Sequence, residues 1–121
     1  ARLPYHIRPA HGRPFAFAAI WDRWRDPRGE PLVSCAILTT DAAPRIADIH
    51  DRMPVILPAE DRDAWLDPEA DPGSLRTLLR PYPRDLQVRR VSQAVNSVAN
   101  EGPACLEAPD SDSDRQEPSD A

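Results

Sequence analysis

Fifteen prolines and four glycines are spread over 121 residues, and they interrupt almost every segment that would otherwise grow long. Proline lacks the amide that a helix interior needs and clashes with the preceding turn, so a long helical bundle is excluded. The apolar content of 40% is enough for one small domain built of short elements.

Residues 4–8 alternate weakly and predict a short strand, and residues 9–13, with Gly12, a turn. Residues 15–21 are apolar throughout, which predicts a strand covered on both faces. Residues 22–31 mix three arginines with three acids around Pro27 and Gly29 and predict a polar hairpin loop. Residues 32–39 follow as its antiparallel partner strand.

Asp41 followed by Pro44 has the grammar of a capped helix start, predicting one or two helical turns over residues 42–48. Residues 53–57 predict a third, buried strand. Pro58 with Glu60, Asp61 and Asp63 opens a helix running to Trp65 and Leu66, its acids favoured by the helix dipole. A breaker cluster over 67–73 precedes a short helix through Ser74, Leu75, Leu78 and Leu79, and residues 86–91 alternate as a half-exposed strand. The expected fold is α+β and sheet-dominated, with short peripheral helices. From Pro109 on, Ser, Asp, Pro and Glu dominate, a composition that predicts a disordered acidic tail over 109–121.

That tail holds five acids against Arg115, so it carries most of the net charge of -5 and leaves the body nearly neutral. Neutrality of the body neither favours nor forbids nucleic acid, since a single arginine-lined cleft can bind phosphates. All fifteen basic residues are arginine, which fits the bias of a GC-rich genome. Cys35 and Cys105 lack metal-site or redox spacing and read as buried free thiols of a reducing, cytoplasmic compartment. No stretch approaches a membrane span or a signal peptide, so no membrane partner is expected. His6, His11 and His50 have no metal-ligand spacing, and neither metal nor cofactor is expected. Of the tryptophans, Trp21 and Trp65 are expected in the core and Trp24 at the surface. A chain opening at Ala1 directly into strand-like sequence reads as the later part of something longer.

The chemistry concentrates in Ile49-His50-Asp51-Arg52-Met53-Pro54, which places an imidazole two residues before a guanidinium at the mouth of the buried strand. Histidine suits proton transfer near neutral pH, with an ordinary pKa of about 6.5, and arginine holds phosphate or carboxylate in fixed geometry. On residue type alone, a single histidine at such a junction is more often structural than catalytic. Arg52 is as well suited to pair with Asp48 or Asp51.

The run from Ile49 to Leu57 resembles the signature of the SOS response-associated peptidase (SRAP) family. Leu3-Pro4-Tyr5-His6-Ile7, Ala18-Ala19-Ile20-Trp21, Ala36-Ile37-Leu38-Thr39-Thr40 and the stretch from Val91 to Asn100 resemble further family segments, in the family's order. The resemblance spans residue 3 to about residue 108 and implies the carboxy-terminal part of a SRAP domain, barrel-like, with the amino-terminal part missing. It implies covalent capture of abasic sites in single-stranded DNA during the SOS response, in the cytoplasm and at the nucleoid under DNA damage. In the family an amino-terminal cysteine, freed by loss of its own initiator methionine, closes a thiazolidine on the ring-opened sugar. This makes the family an autocatalytic cysteine peptidase with lyase-like chemistry on DNA.

His50 matches the family's active-site histidine and is expected to shuttle a proton. Arg52 matches its arginine and is expected to clamp a phosphate, with Thr39 as a hydroxyl contact to the same strand. The family's cysteine, asparagine and glutamate belong upstream of Ala1, and neither Cys35 nor Cys105 supplies an amine and a thiol on one terminal residue. The chain alone is therefore expected to be inactive, its partner being the missing amino-terminal half. The alternative is a catalytically inactive DNA-binding or scaffolding remnant of the same fold.

Overall fold

The computed structural model describes residues 3–109, so the acidic tail expected over 109–121 lies outside the described residues save for Pro109. Eight short strands, β1 (Tyr5–Pro9), β2 (Ala16–Phe17), β3 (Ala19–Arg25), β4 (Pro31–Ile37), β5 (Thr39–Asp41), β6 (Arg52–Pro54), β7 (Ile56–Leu57) and β8 (Leu86–Arg90), combine with two helices, α1 (Ala59–Leu66) and α2 (Pro72–Arg76). The strand-rich α+β class follows the sequence. Among the described residues the strands form four two-stranded ladders, and none of them closes into a barrel.

The chain divides into two compact units, and the larger comprises residues 9–86. Its organising feature is a ring of three hydrogen bonds. The Ala18 amide donates to the Val55 carbonyl (2.8 Å), the Val55 amide to the Leu38 carbonyl (2.9 Å), and the Leu38 amide to the Ala18 carbonyl (2.9 Å). Each of these residues sits between two strands: Ala18 between β2 and β3, Leu38 between β4 and β5, Val55 between β6 and β7. Three chain segments thus exchange partners at one point, and the antiparallel ladders β2–β7, β3–β4 and β5–β6 radiate from it. Ala18 and Val55 are fully buried, so their amides and carbonyls must be satisfied by protein, and the ring does so. Leu57 joins them in the core, and Leu38, Trp65, Leu78 and Leu79 pack around it.

The segment expected as one buried strand over 53–57 is buried at Met53, Val55, Ile56 and Leu57, but it is divided at Val55 into β6 and β7, which pair with different partners. α1 carries Glu60 and Asp61 in its first turn, and Trp65 near its end donates its indole Nε1–H to the Ala19 carbonyl (3.2 Å). α2 begins earlier than the leucine pattern predicts and stops before Leu78. Pro72, read as a breaker, is instead accommodated in the first turn, and Asp71 caps that turn by accepting from the Ser74 amide (3.2 Å).

The β3–β4 hairpin corrects several expectations. Asp22 to Arg25 continue the strand in register with Pro31 to Ser34, and only Asp26 to Glu30 form the turn. There the Asp26 carboxylate accepts from the amides of Arg28 (2.8 Å) and Glu30 (2.9 Å), and Gly29 takes the left-handed φ of 81°. Among the described residues β3 and β4 pair only with each other, and the apolar sequence that predicts burial is bare on both faces. Trp21 is 69% exposed rather than in the core, Cys35 is exposed rather than buried, and Trp24 is exposed as expected.

Among the described residues the smaller unit comprises residues 3–8 and 87–109. β1 pairs with β8, whose alternating burial is the one its sequence predicts. Two 3₁₀ turns follow, Gln93–Asn96 and Pro103–Leu106. They are tied back by Ser92 N–H to the Glu107 carbonyl (2.8 Å) and by the Arg89 guanidinium to the Leu106 carbonyl (2.7 Å). Cys105 here is half-buried and, like Cys35, a free thiol. No helix among the described residues is long and apolar enough to cross a membrane.

Candidate nucleic-acid interface

The β5–β6 ladder sets Thr39 opposite Pro54, Thr40 opposite Met53 and Asp41 opposite Arg52. Side chains alternate along a strand, so Thr39, Asp41 and Arg52 share one face while Met53 points to the other and is buried. Met53 anchors the ladder there, its sulfur accepting from the Ala43 amide at 3.3 Å.

On the outer face Arg52 organises the surface. Its Nη1 donates to Asp41 Oδ1 (2.9 Å), and its Nη2 to both the carbonyl (3.0 Å) and the hydroxyl (3.2 Å) of Thr39. The guanidinium is thereby tied to the opposite strand, and the Arg52 side chain remains 47% exposed. An exposed ion pair of this kind contributes only about 0–1 kcal/mol, so it orients the fork without sealing it from an incoming anion.

Residues 42–51 connect the two strands. The expected helix is reduced to consecutive turns, with Ala47 N–H bonding the Ala43 carbonyl (3.0 Å) and His50 N–H the Ile46 carbonyl (3.0 Å). Asp41 does not cap them: it lies inside β5, and its carboxylate is taken by Arg52. Arg52 therefore pairs with Asp41 across the ladder rather than with Asp48 or Asp51 beside it in sequence. Buried Ala43 and Ile46 hold the turns down, and the chain leaves them at His50.

His50 is exposed, with 67% of its side chain open to solvent, and its Nδ1 accepts from the Arg52 backbone amide at 3.0 Å. A nitrogen that accepts carries no proton, so the neutral ring bears its hydrogen on Nε2. Asp51 Oδ1 lies 3.2 Å from the same Nδ1. Of the three residues expected from sequence, Arg52 bonds Thr39 through its side chain and His50 through its backbone amide, and the side chains of His50 and Arg52 are both open to solvent. Asp41 is the member that sequence reasoning assigns elsewhere; its place two residues after Thr39 on one strand is the available signal. Among the described residues, no three metal-ligating side chains converge anywhere.

The surface is borne on a two-stranded ladder of a strand-rich α+β domain. The profile of the SOS response associated peptidase (SRAP) family matches residues 1–98, and the chain belongs to that family. It is 41% identical over 109 residues to abasic site processing protein YoqW of Bacillus subtilis, covering 88% of this chain and 49% of that protein. It is 39% identical over 97 residues to abasic site processing protein HMCES of Gallus gallus, covering 78% of this chain and 29% of that protein. The chain thus spans about half the length of the bacterial relative and less of the avian one. A crystal structure of a Bacteroides thetaiotaomicron protein superposes with a TM-score of 0.77 at 27% identity, over 88% of this chain and 48% of that one. A Bordetella bronchiseptica protein superposes with a TM-score of 0.66 at 36% identity, over 74% and 46%.

Proposed function

We propose that this chain supplies the histidine–arginine side of an abasic-site processing centre that acts on single-stranded DNA in the cytoplasm, at the nucleoid under DNA damage. The observation that carries the reading is the coupling of His50 to Arg52: the backbone amide of Arg52 fixes the ring of His50, and both side chains are open to solvent. Relatives named as abasic site processing proteins support the substrate class.

In this reading Arg52 binds a backbone phosphate beside the lesion by forked, charge-assisted hydrogen bonds, and Thr39 holds the fork in plane and offers its hydroxyl to the same strand. His50 presents Nε2–H toward the sugar. In its doubly protonated form, steadied by Asp51 at Nδ1, the ring donates the Nε2 proton to the sugar ring oxygen as the abasic sugar opens. This leaves a neutral imidazole, while the anomeric hydroxyl releases its proton to water and becomes the aldehyde. Bond formation to the aldehyde requires an amine and a thiol on one residue, which neither Cys35 nor Cys105 provides. The remaining half of the family's domain would bring that group, and with it the further strands that would make the assembled sheet barrel-like.

Fluorescence anisotropy with an abasic single-stranded oligonucleotide tests the binding side. Saturable, salt-sensitive binding that Arg52→Gln weakens about tenfold is expected, since a hydrogen bond to a charged group contributes about 1.5–3 kcal/mol. Binding indifferent to Arg52→Gln would overturn the reading. On a denaturing gel these 121 residues alone are expected to leave no heat-stable protein–DNA band.

A further inference from the structure

The larger unit holds a second cationic cleft whose lining includes none of Thr39, Asp41, His50 or Arg52. Its volume is about 520 Å³, and its lining comes from the segment before β2, the start of α1 and the segment before β8. His11, Arg13, Arg62 and Arg84 line it together with Phe15 and Tyr82, and no carboxylate is among the lining residues.

The four nitrogen-bearing side chains differ in commitment. Arg84 is engaged by Glu60 through both carboxylate oxygens, Nη1 to Oε2 at 3.1 Å and Nη2 to Oε1. His11 Nδ1 accepts from the Arg13 amide at 2.8 Å, so its neutral ring carries a proton on Nε2 and is a donor on that side. Among the described residues, the guanidinium groups of Arg13 and Arg62 have neither a hydrogen-bond acceptor nor an ion-pair partner, and the Arg62 Nε is buried in that condition. Two cations without counter-charge beside one cavity raise its potential, and a guanidinium N–H buried without an acceptor costs free energy that a nearby anion offsets. Pro58 and Ala59 bring the positive end of α1 to the same cleft, where Pro58 supplies no side-chain cap.

From this geometry we infer that the cleft is a binding site for a nucleotide phosphate, distinct from the His50–Arg52 surface. The phosphate lies between Arg13 and Arg62 at the start of α1. Phe15, held edge-on against Phe17 with ring centroids 5.6 Å apart, offers an aromatic wall to the base. The volume suits one nucleotide, within the range of about 300–1,000 Å³ usual for small-ligand sites. The nucleotide is either free or one unit of a DNA strand; the recognising chemistry is the same.

Titrating the isotope-labelled chain with deoxyadenosine monophosphate and recording amide shifts tests this. Saturable shifts are expected at residues 12–15 and 59–62, about tenfold weaker in Arg13→Gln and again in Arg62→Gln, with inorganic phosphate reproducing the shifts at higher concentration. Arg13 is exposed, so its variant keeps the fold and an unchanged background spectrum. A short 5′-phosphorylated oligonucleotide that displaces the mononucleotide would identify a DNA strand as the source, and failure to displace would identify the free nucleotide. Shifts confined to residues 39–52 would overturn this inference while supporting the other surface, and shifts unchanged in both arginine variants would overturn it outright.

Discussion

Ala18 donates its amide to the Val55 carbonyl at 2.8 Å, and both residues have no surface exposed to solvent. That hydrogen bond, closed into a ring through Leu38, lets three segments trade strand partners without leaving a buried amide unpaired. The position tolerates little beyond a methyl group. Ala18→Leu is expected to destabilise the chain by about 1–3 kcal/mol through overpacking, read as a lower urea midpoint with an unchanged slope.

Asp41 occupies the guanidinium that the proposed phosphate would need. Neutralising it should favour DNA: Asp41→Asn is expected to tighten binding of a single-stranded oligonucleotide by up to about fivefold, the factor corresponding to an exposed pair of about 0.2–1 kcal/mol. Weaker binding in this variant would mean that Asp41 is needed to hold Arg52 in place.

Replacing Arg52 should also change the response to salt. Every phosphate the protein neutralises adds roughly 0.7 to the steepness of log affinity against log salt for a single strand. Arg52→Gln should therefore show a slope shallower by about that amount in anisotropy titrations from low to moderate salt.

The hydrogen bonds from Arg84 hold the Glu60 carboxyl below the usual carboxylate range. A depressed carboxylate contributes stability that is present above its unfolded pKa and lost as pH falls through its folded one. Glu60→Gln should therefore lose stability relative to the parent near neutral pH, and the difference should shrink as the solution is acidified through the carboxylate range and vanish below the depressed pKa of Glu60. Thermal melts across that interval measure it.

Trp21 makes little use of its ring in this chain. Trp21→Thr keeps a β-compatible residue on β3 and is expected to change unfolding free energy by no more than about 0.5 kcal/mol, while reducing self-association in analytical ultracentrifugation.

Several parts of this structure are legible in the residues. Val55, Ile56 and Leu57 announce a buried strand by their unbroken apolar run, and the acids after Pro58 announce α1. The closeness of His50 to Arg52 follows from their spacing. Other parts depend on partners distant in sequence. Asp41 has the grammar of a helix cap, and only the β5–β6 register reveals that Arg52 lies opposite and takes its carboxylate. Pro72 looks like a breaker because local propensity does not say on which side of a helix start it falls. The apolar runs of β3 and β4 state what their side chains prefer, not whether these residues supply a cover. The cationic cleft is invisible in the sequence for the same reason: Arg13, Arg62 and Tyr82 meet only after the chain has folded.

The β3–β4 ribbon is seven paired residues long and shields neither of its sides. At about 3.4 Å per residue it reaches well over 20 Å, with its tryptophans on show. Left uncovered, such a blade offers chaperones and proteases the same kind of apolar surface as a folding intermediate. The survival time of this polypeptide would then be governed by how often chaperones and proteases meet that blade, however firmly the three-way knot at its root is tied.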